Sequence, residues 1–71
     1  MPESKKIRRL RQLSGLTQFD VAELTGLDRT WLSHFENGHV RLQPEQLEVL
    51  NRVLRQACQR RQMELNSVVM A

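Results

Sequence analysis

The stretch LDRTWLSHFENG, residues 27–38, decides how this chain folds. It opens with an aspartate suited to cap a helix and closes with an Asn-Gly pair that typically ends one. At 3.6 residues per turn, Trp31, Leu32 and Phe35 fall on one side of the predicted helix, with Glu36 at the margin. An arc of about 140° on the other side carries only hydrogen-bonding groups and no carboxylate: Arg29, Thr30, Ser33, His34 and Asn37. One side therefore faces the protein core, and the other is free to meet a partner.

The other apolar periods in the chain are also helical, and no segment alternates as a β-strand would. Ser4 and Thr17 are suited to cap two further helices, and Gly15 and Gly26 to end them. Pro44 fits the first position of a last helix. The predicted helices span residues 4–14, 17–25, 28–37 and 44–64, with a short, loosely held tail over 66–71. The expected core residues are aliphatic: Ile7, Leu10, Val21, Ala22, Leu47, Leu50, Leu54 and Ala57.

Composition narrows the class of protein. With 71 residues, of which 39% are hydrophobic and 27% charged, the chain is expected to form one small globular domain. The single cysteine, Cys58, cannot form an internal disulfide and has no metal-ligand spacing with His34 or His39, so neither a metal nor a cofactor is expected. No apolar run approaches the roughly 20 residues that span a bilayer, and no secretory signal is recognised. These features predict a cytoplasmic protein without a membrane partner.

Positive charge is concentrated near the N-terminus. The formal net charge is +3, which favours an anionic partner without establishing one. Five basic residues lie within seven positions of the first predicted helix: Lys5, Lys6, Arg8, Arg9 and Arg11. A solvated helix face is the alternative interpretation of such a run.

Three segments stand at spacings that resemble the helix-turn-helix domain of the lambda-repressor and Cro superfamily, also called the XRE family. They are GLTQ (15–18), VAELTGL (21–27) and FENG (35–38), and the resemblance covers residues 7 to about 57. It implies an all-α fold, a compact domain of four to five helices with a central helix-turn-helix. The third helix would enter the major groove of double-stranded DNA, commonly with the protein acting as a homodimer on a near-palindromic operator.

Carried over position by position, the resemblance implies functional residues of three kinds. The residues at base-reading positions are Arg29, Thr30, Ser33 and His34. The residues at phosphate-binding positions are Gln18, Asn37, His39 and Arg41, together with the backbone of Gly38 and His39. Gln18 would also brace the third helix. Arg11 and Glu36 match a pair that forms a partly buried salt bridge in several family members.

Some positions depart from the family pattern. Thr25 stands where a larger aliphatic residue is usual, which predicts weaker local packing. Phe19 and Leu24 stand where the family is usually polar. Those two could form a small partner patch, although single exposed apolar residues are common on protein surfaces.

The end of the last helix and the tail also carry apolar residues. The apolar stripe of the last helix is long, and an apolar tail follows it. Together they contain more apolar residues than so small a core requires. We therefore predict that this region forms the homodimer interface, notably through Leu65, Val68 and Val69.

These observations favour some classes of function over others. An enzyme is not expected, because the chain has no Ser/His/Asp or Cys/His arrangement and no glycine-rich phosphate loop. A small autoregulatory transcriptional repressor, of prophage or plasmid type, is favoured. A restriction-modification controller protein, which LDRTWLS also resembles, and an antitoxin with a protein partner are alternatives. A protein-interaction module that does not bind DNA remains the rival of another class, since fold alone does not establish function.

Overall fold

The computed structural model describes residues 3–70 of the chain. Within that range the secondary structure consists of four helices, which are α1 (Glu3–Ser14), α2 (Gln18–Thr25), α3 (Arg29–Glu36) and α4 (Pro44–Met70). The described residues contain no strand, and the predicted all-α fold is confirmed. Helices α2 and α3, joined by the three residues 26–28, form the helix-turn-helix, which packs against α1 and α4.

Local sequence signals set the ends of the two short helices. The backbone N–H of Asp20 donates to the hydroxyl of Thr17, while the Thr17 N–H donates to the Asp20 carboxylate, both at 3.0 Å. This reciprocal pair is a capping box, which satisfies donors that have no partner within the helix. The hydrogen bond from the Thr17 backbone lowers the pKa of the Asp20 carboxyl below its ordinary value, and the hydrogen bond with the Thr17 side chain lowers that pKa further. Asp28 caps α3 by accepting from the N–H of Trp31 at 3.0 Å.

The turn between α2 and α3 depends on Gly26 and Thr25. Gly26 has φ 77°, a left-handed conformation that favours glycine, and its N–H donates to the carbonyl of Ala22. The Thr25 hydroxyl donates to the carbonyl of Val21 at 2.7 Å and accepts from the N–H of Leu27 at 3.3 Å. An open pocket of about 170 Å³ lies beside Thr25. Thr25 thus fastens the turn by hydrogen bonds rather than by filling space.

Buried aliphatic side chains and one phenylalanine form the core, with contributions from every helix. Its members are Ile7, Val21, Leu32, Phe35, Leu42, Leu50 and Leu54. Burial of each such side chain stabilises the fold by roughly 1.5–3 kcal/mol. Leu42 comes from the connection between α3 and α4, which the sequence indicated only as a polar loop.

Trp31 does not join the core, contrary to the prediction for the apolar side of α3. Its side chain is 45% exposed. The buried side of α3 is formed by Leu32, Phe35 and Glu36, and Trp31 lies about 90° around the helix from the centre of that side. Glu36, about 140° from Trp31 around the helix, lies on the buried side instead.

Two predicted helix limits were wrong. Ser4 lies inside α1 rather than capping it, because the helix already includes Glu3. Helix α4 does not end near residue 64 but continues to Met70, so the predicted tail over 66–71 is helical as far as it is described. No glycine or proline follows Pro44 to stop the helix. At 1.5 Å per residue, α4 is about 40 Å long and accounts for most of the molecule's longest dimension of 44 Å.

Candidate nucleic-acid interface

The fold brings the predicted base-reading residues together on the solvent side of α3. Arg29, Thr30 and His34 are exposed, and Ser33 is half-buried. Because Leu32 and Phe35 anchor the opposite side in the core, the orientation of these polar side chains is set by packing. Trp31 adds an exposed aromatic ring to the first turn of the same helix.

The one carboxylate within α3 is removed from this surface. Glu36 is only 5% exposed. Its carboxylate accepts from the Arg11 guanidinium through two parallel contacts, from Nε at 2.8 Å and from Nη2 at 2.9 Å. A third N–H of Arg11 donates to the carbonyl of Leu16 at 3.2 Å. The ion pair joins α1 to α3 and prevents an unpaired negative charge from repelling an anionic partner.

Gln18 lies where α2 and α3 meet. It is the first residue of α2, and its Nε2 donates to the Glu36 carboxylate at 3.3 Å. The bracing role implied by the family resemblance therefore has a direct contact. The amide has two N–H donors, so one remains available, and it sits at a helix N-terminus, where the backbone favours negative charge.

The backbone N–H groups after α3, which the family resemblance implied as phosphate donors, have hydrogen-bond partners within the protein. The N–H of Gly38 donates to the carbonyl of Phe35, and the N–H of His39 donates to the carbonyl of His34, both at 2.9 Å. These bonds close the helix end, with Gly38 at φ 80°. Backbone phosphate binding at residues 38 and 39 stays a prediction, and it would require these N–H groups to share or exchange their internal hydrogen bonds.

Three side chains around the end of α3 remain exposed and able to hydrogen-bond an anion: Asn37, His39 and Arg41. One N–H of the Asn37 amide donates to the carbonyl of Ser33 at 3.0 Å, which leaves the second N–H for another acceptor. The His39 ring lies edge-on to the ring of His34, with centroids 6.3 Å apart. The predicted phosphate-binding and base-reading residues are therefore continuous at this end of the helix.

Charge on this surface is predominantly positive. Among residues 3–70, the Arg11–Glu36 contact is the only ion pair, so the guanidinium groups of Arg29 and Arg41 are free for an external partner. On α1, Arg8 lies one turn before Arg11 on the side that faces α3. Lys6 and Arg9 point more than 130° away from Arg11 by the same geometry, so the interpretation as a solvated face applies to them.

Two other kinds of site are not found in the described part of the chain. No group of three or more His, Cys, Asp or Glu residues there could hold a metal ion. None of its helices is both long and apolar enough to cross a membrane.

The side chains of Phe19 and Leu24 are exposed on α2, outside the polar side of α3.

Sequence reasoning placed the polar side of α3 correctly but missed the exposed Trp31. The helical angles alone did not give this signal. Trp31 lies about 60° from His34 at one edge of the exposed arc, but Glu36 lies only about 20° from Arg29 at the other edge. Glu36 was already recognised as needing a buried partner, and its burial turns α3 so that the tryptophan reaches the surface.

Comparison with known proteins identifies the family. A family model described as a helix-turn-helix domain matches residues 5–62, which include the helix-turn-helix, nearly all of α1 and the core-forming part of α4. Neither the curated proteins nor the solved structures contain a significant match to the chain. The resemblance of the GLTQ, VAELTGL and FENG segments is confirmed by the match. The chain belongs to this helix-turn-helix family, a family of XRE, or lambda-repressor-like, DNA-binding domains.

Proposed function

We propose that this protein is a transcriptional regulator that binds double-stranded DNA at a specific sequence. It would be a small cytoplasmic repressor that controls its own gene. One observation carries the proposal: α3 exposes a continuous set of hydrogen-bonding side chains while its only carboxylate, Glu36, is buried against Arg11. The major groove of B-DNA, about 12 Å wide, admits a helix with such a surface. The regulator would bind a near-palindromic operator as a homodimer, each copy reading one half-site.

Arg29 is the principal base reader in this proposal. Its planar guanidinium can donate to both O6 and N7 of guanine, which is the commonest specific contact in the major groove. Thr30, Ser33 and His34 are shorter or carry fewer donors, and they would contribute single or water-mediated hydrogen bonds. Trp31 can cover a sugar or a thymine methyl group at the edge of the same surface.

Phosphate contacts would fix the position of α3 in the groove without reading sequence. The proposed set combines one residue at the start of α2 with three around the end of α3: Gln18, Asn37, His39 and Arg41. These two places flank the base-reading surface in the helix-turn-helix. Phosphate binding at both would hold α3 at a defined depth and angle.

Selection from a random pool of DNA duplexes tests the proposal. We expect enrichment of a motif with two-fold symmetry, since a homodimer presents two copies of α3. Binding is then measured directly, because Trp31 is the chain's single tryptophan and its fluorescence should change as the surface of α3 is covered. A failure to enrich any duplex, together with no gel shift at low salt, would favour the protein-interaction module.

Arg41 supplies a separate test of the phosphate set. We expect Arg41→Ala to weaken binding to operator and to scrambled duplex by a similar factor, because phosphates are present in every sequence. It should also reduce the slope of log affinity against log salt by about one unit. Arg52→Ala is the matched control, since Arg52 is exposed on α4 about 160° around that helix from the buried Leu50. If the two variants weaken DNA binding equally, Arg41 contributes to binding only through the net charge of the protein.

The restriction-modification controller and the antitoxin remain alternatives, and both would use the same DNA-binding surface. They differ from the repressor in the genes that lie beside the operator. Locating the selected motif in the genome separates them. A motif beside a methyltransferase gene supports the controller, and one before an operon that also encodes a toxin supports the antitoxin.

A further inference from the structure

Trp31 is the one large apolar side chain that α3 exposes. It is 45% exposed, and the other exposed large apolar residues among residues 3–70 lie on α1, α2 and α4. Those on α4 include the residues of the predicted dimer interface, Leu65, Val68 and Val69. Trp31 lies about 60° from His34 and about 90° from the centre of the buried side of α3. It therefore points sideways, neither into the core nor along the centre of the polar side.

A helix in the major groove has DNA on its flanks as well as beneath it. With side chains the helix is about 10–12 Å across, and the groove is about 12 Å wide. The polar side of α3 would thus face the base edges at the floor of the groove, and Trp31 would face one wall. Gln18, a proposed phosphate contact, lies at the other flank, since it donates to Glu36, about 140° around the helix from Trp31.

The wall that Trp31 would face consists of the sugar-phosphate backbone and the outer edges of the bases. A phosphate is disfavoured there, because the exposed Asp28 accepts from the backbone N–H of Trp31 at 3.0 Å, and its carboxylate would repel a second negative charge. The outer base edge offers an apolar group instead, the 5-methyl group of a pyrimidine, close to the backbone of its own strand. Apolar side chains contact this methyl group in the major groove.

We propose that Trp31 recognises the 5-methyl group of one pyrimidine in each half-site, in thymine or in 5-methylcytosine. Both bases carry the methyl group on the same ring carbon, so the indole ring would cover either one. The inference rests on the proposed function, because it assigns one further position of the operator to a residue of α3. It also gives the protein a response to DNA methylation, since a methylated cytosine at that position would bind more tightly than an unmethylated one.

Duplexes that differ by a single methyl group test the proposal. Each thymine in one half-site of the selected operator is replaced in turn by deoxyuridine, and cytosine is compared with 5-methylcytosine at the same positions. At one position we expect about fourfold weaker binding for deoxyuridine than for thymine, and the same factor between cytosine and 5-methylcytosine. This is the factor that corresponds to burial of one methylene-sized group. Equal affinities within both pairs at every position would overturn the proposal and leave Trp31 against a sugar.

Substitutions of Trp31 assign the methyl preference to its ring. Binding is followed by the fluorescence anisotropy of labelled DNA, so that variants without tryptophan can be compared with the wild type. Trp31→Ala should abolish the preference within both pairs of duplexes but keep the preference for the guanine assigned to Arg29, which requires a folded α3. Trp31→Phe keeps an aromatic ring without an N–H and should retain the methyl preference. If both variants lose it completely, the indole N–H makes the contact and the proposal is wrong.

Two control variants exclude other sources of the preference. Phe19→Ala removes an aromatic residue that is 58% exposed on α2, outside the polar side of α3. Thr30→Ser removes the methyl group of an exposed threonine beside Trp31 and keeps its hydroxyl. Both should retain the methyl preference. Its loss in Thr30→Ser but not in Trp31→Ala would assign methyl recognition to Thr30, against the proposal.

The outcomes for this inference and for the proposed function can be told apart. A protein that enriches no duplex would refute DNA recognition, and the role of Trp31 with it. A protein that enriches a two-fold motif, yet binds methylated and unmethylated pyrimidines equally at every position, would keep the proposed function and refute the role of Trp31 alone.

Discussion

Replacing Glu36 with alanine is expected to lower the free energy of unfolding by about 3 kcal/mol, as for other buried ion pairs that lose one partner. The substitution leaves the Arg11 guanidinium, held in a mostly buried position, without the carboxylate that accepts two of its hydrogen bonds. Gln18 loses its contact with α3 at the same time. In so small a domain this is a large part of the total stability. The midpoint of chemical denaturation measures the effect.

Two controls separate the ion pair from a general effect of losing a glutamate. Glu48→Ala removes an exposed carboxylate from α4 and should change stability by less than about 0.5 kcal/mol. The double variant Arg11→Ala, Glu36→Ala should lose less stability than the sum of the two single variants, because each single variant leaves an unpaired charge and the double variant leaves none. If Glu36→Ala and Glu48→Ala unfold at the same denaturant concentration, the pair does not stabilise the fold.

The ends of the short helices could be predicted from sequence because they depend on neighbours in the chain. The capping box of Thr17 and Asp20 needs only two residues three positions apart. Asp28 caps α3 through the N–H of a residue three positions later, and Gly26 ends α2 by adopting a left-handed conformation. Such interactions form whatever the rest of the fold does, so they can be inferred without knowing it.

Features set by distant parts of the chain could not be predicted in the same way. Leu42 is buried only because α4 returns across the core, and nothing in the short connection that holds it indicates this. Trp31 is exposed because Glu36 turns inward to meet Arg11, which is 25 positions away. The helical limit of α4 was missed for a different reason. The apolar stripe of α4 weakens at Arg60 and Arg61, which suggested that the helix ends soon after them. Glycine and proline are the residues that most strongly interrupt a helix, and neither follows Pro44.

The candidate site shows the same division. Helical angles within α3 placed Arg29, Ser33 and His34 on one exposed side, because those angles do not depend on tertiary structure. The family resemblance suggested backbone donors after α3, but the N–H groups of Gly38 and His39 are used to close the helix. The exposed side chains at this end of the site have N–H groups without an internal partner, so we expect them to contact phosphate more readily than the backbone does. The distinction matters for design, since substitutions can test side chains directly.

Arg29→Ala is expected to cost about 1–3 kcal/mol in operator binding and to relax sequence preference at one position in each half-site. The exposed guanidinium of Arg29 stands at the first position of α3, where a helix entering the major groove presents its N-terminal residues to base edges. Loss of its two hydrogen bonds with guanine lowers both the affinity for the operator and the discrimination between bases. Titration of operator and scrambled duplex, followed by Trp31 fluorescence over a salt series, measures both losses.

Arg29→Lys separates base reading from simple attraction to DNA. Lysine keeps the positive charge but replaces the planar fork with a single ammonium group. If Arg29 reads guanine, the lysine variant should bind scrambled duplex as the wild type does, with an unchanged salt slope, yet lose much of its preference for operator. If Arg29 contacts phosphate, alanine should weaken operator and scrambled duplex equally, and lysine should restore both. The second pattern would contradict the assignment of Arg29 and move base recognition to Thr30, Ser33 and His34, the remaining polar side chains on the solvent side of α3.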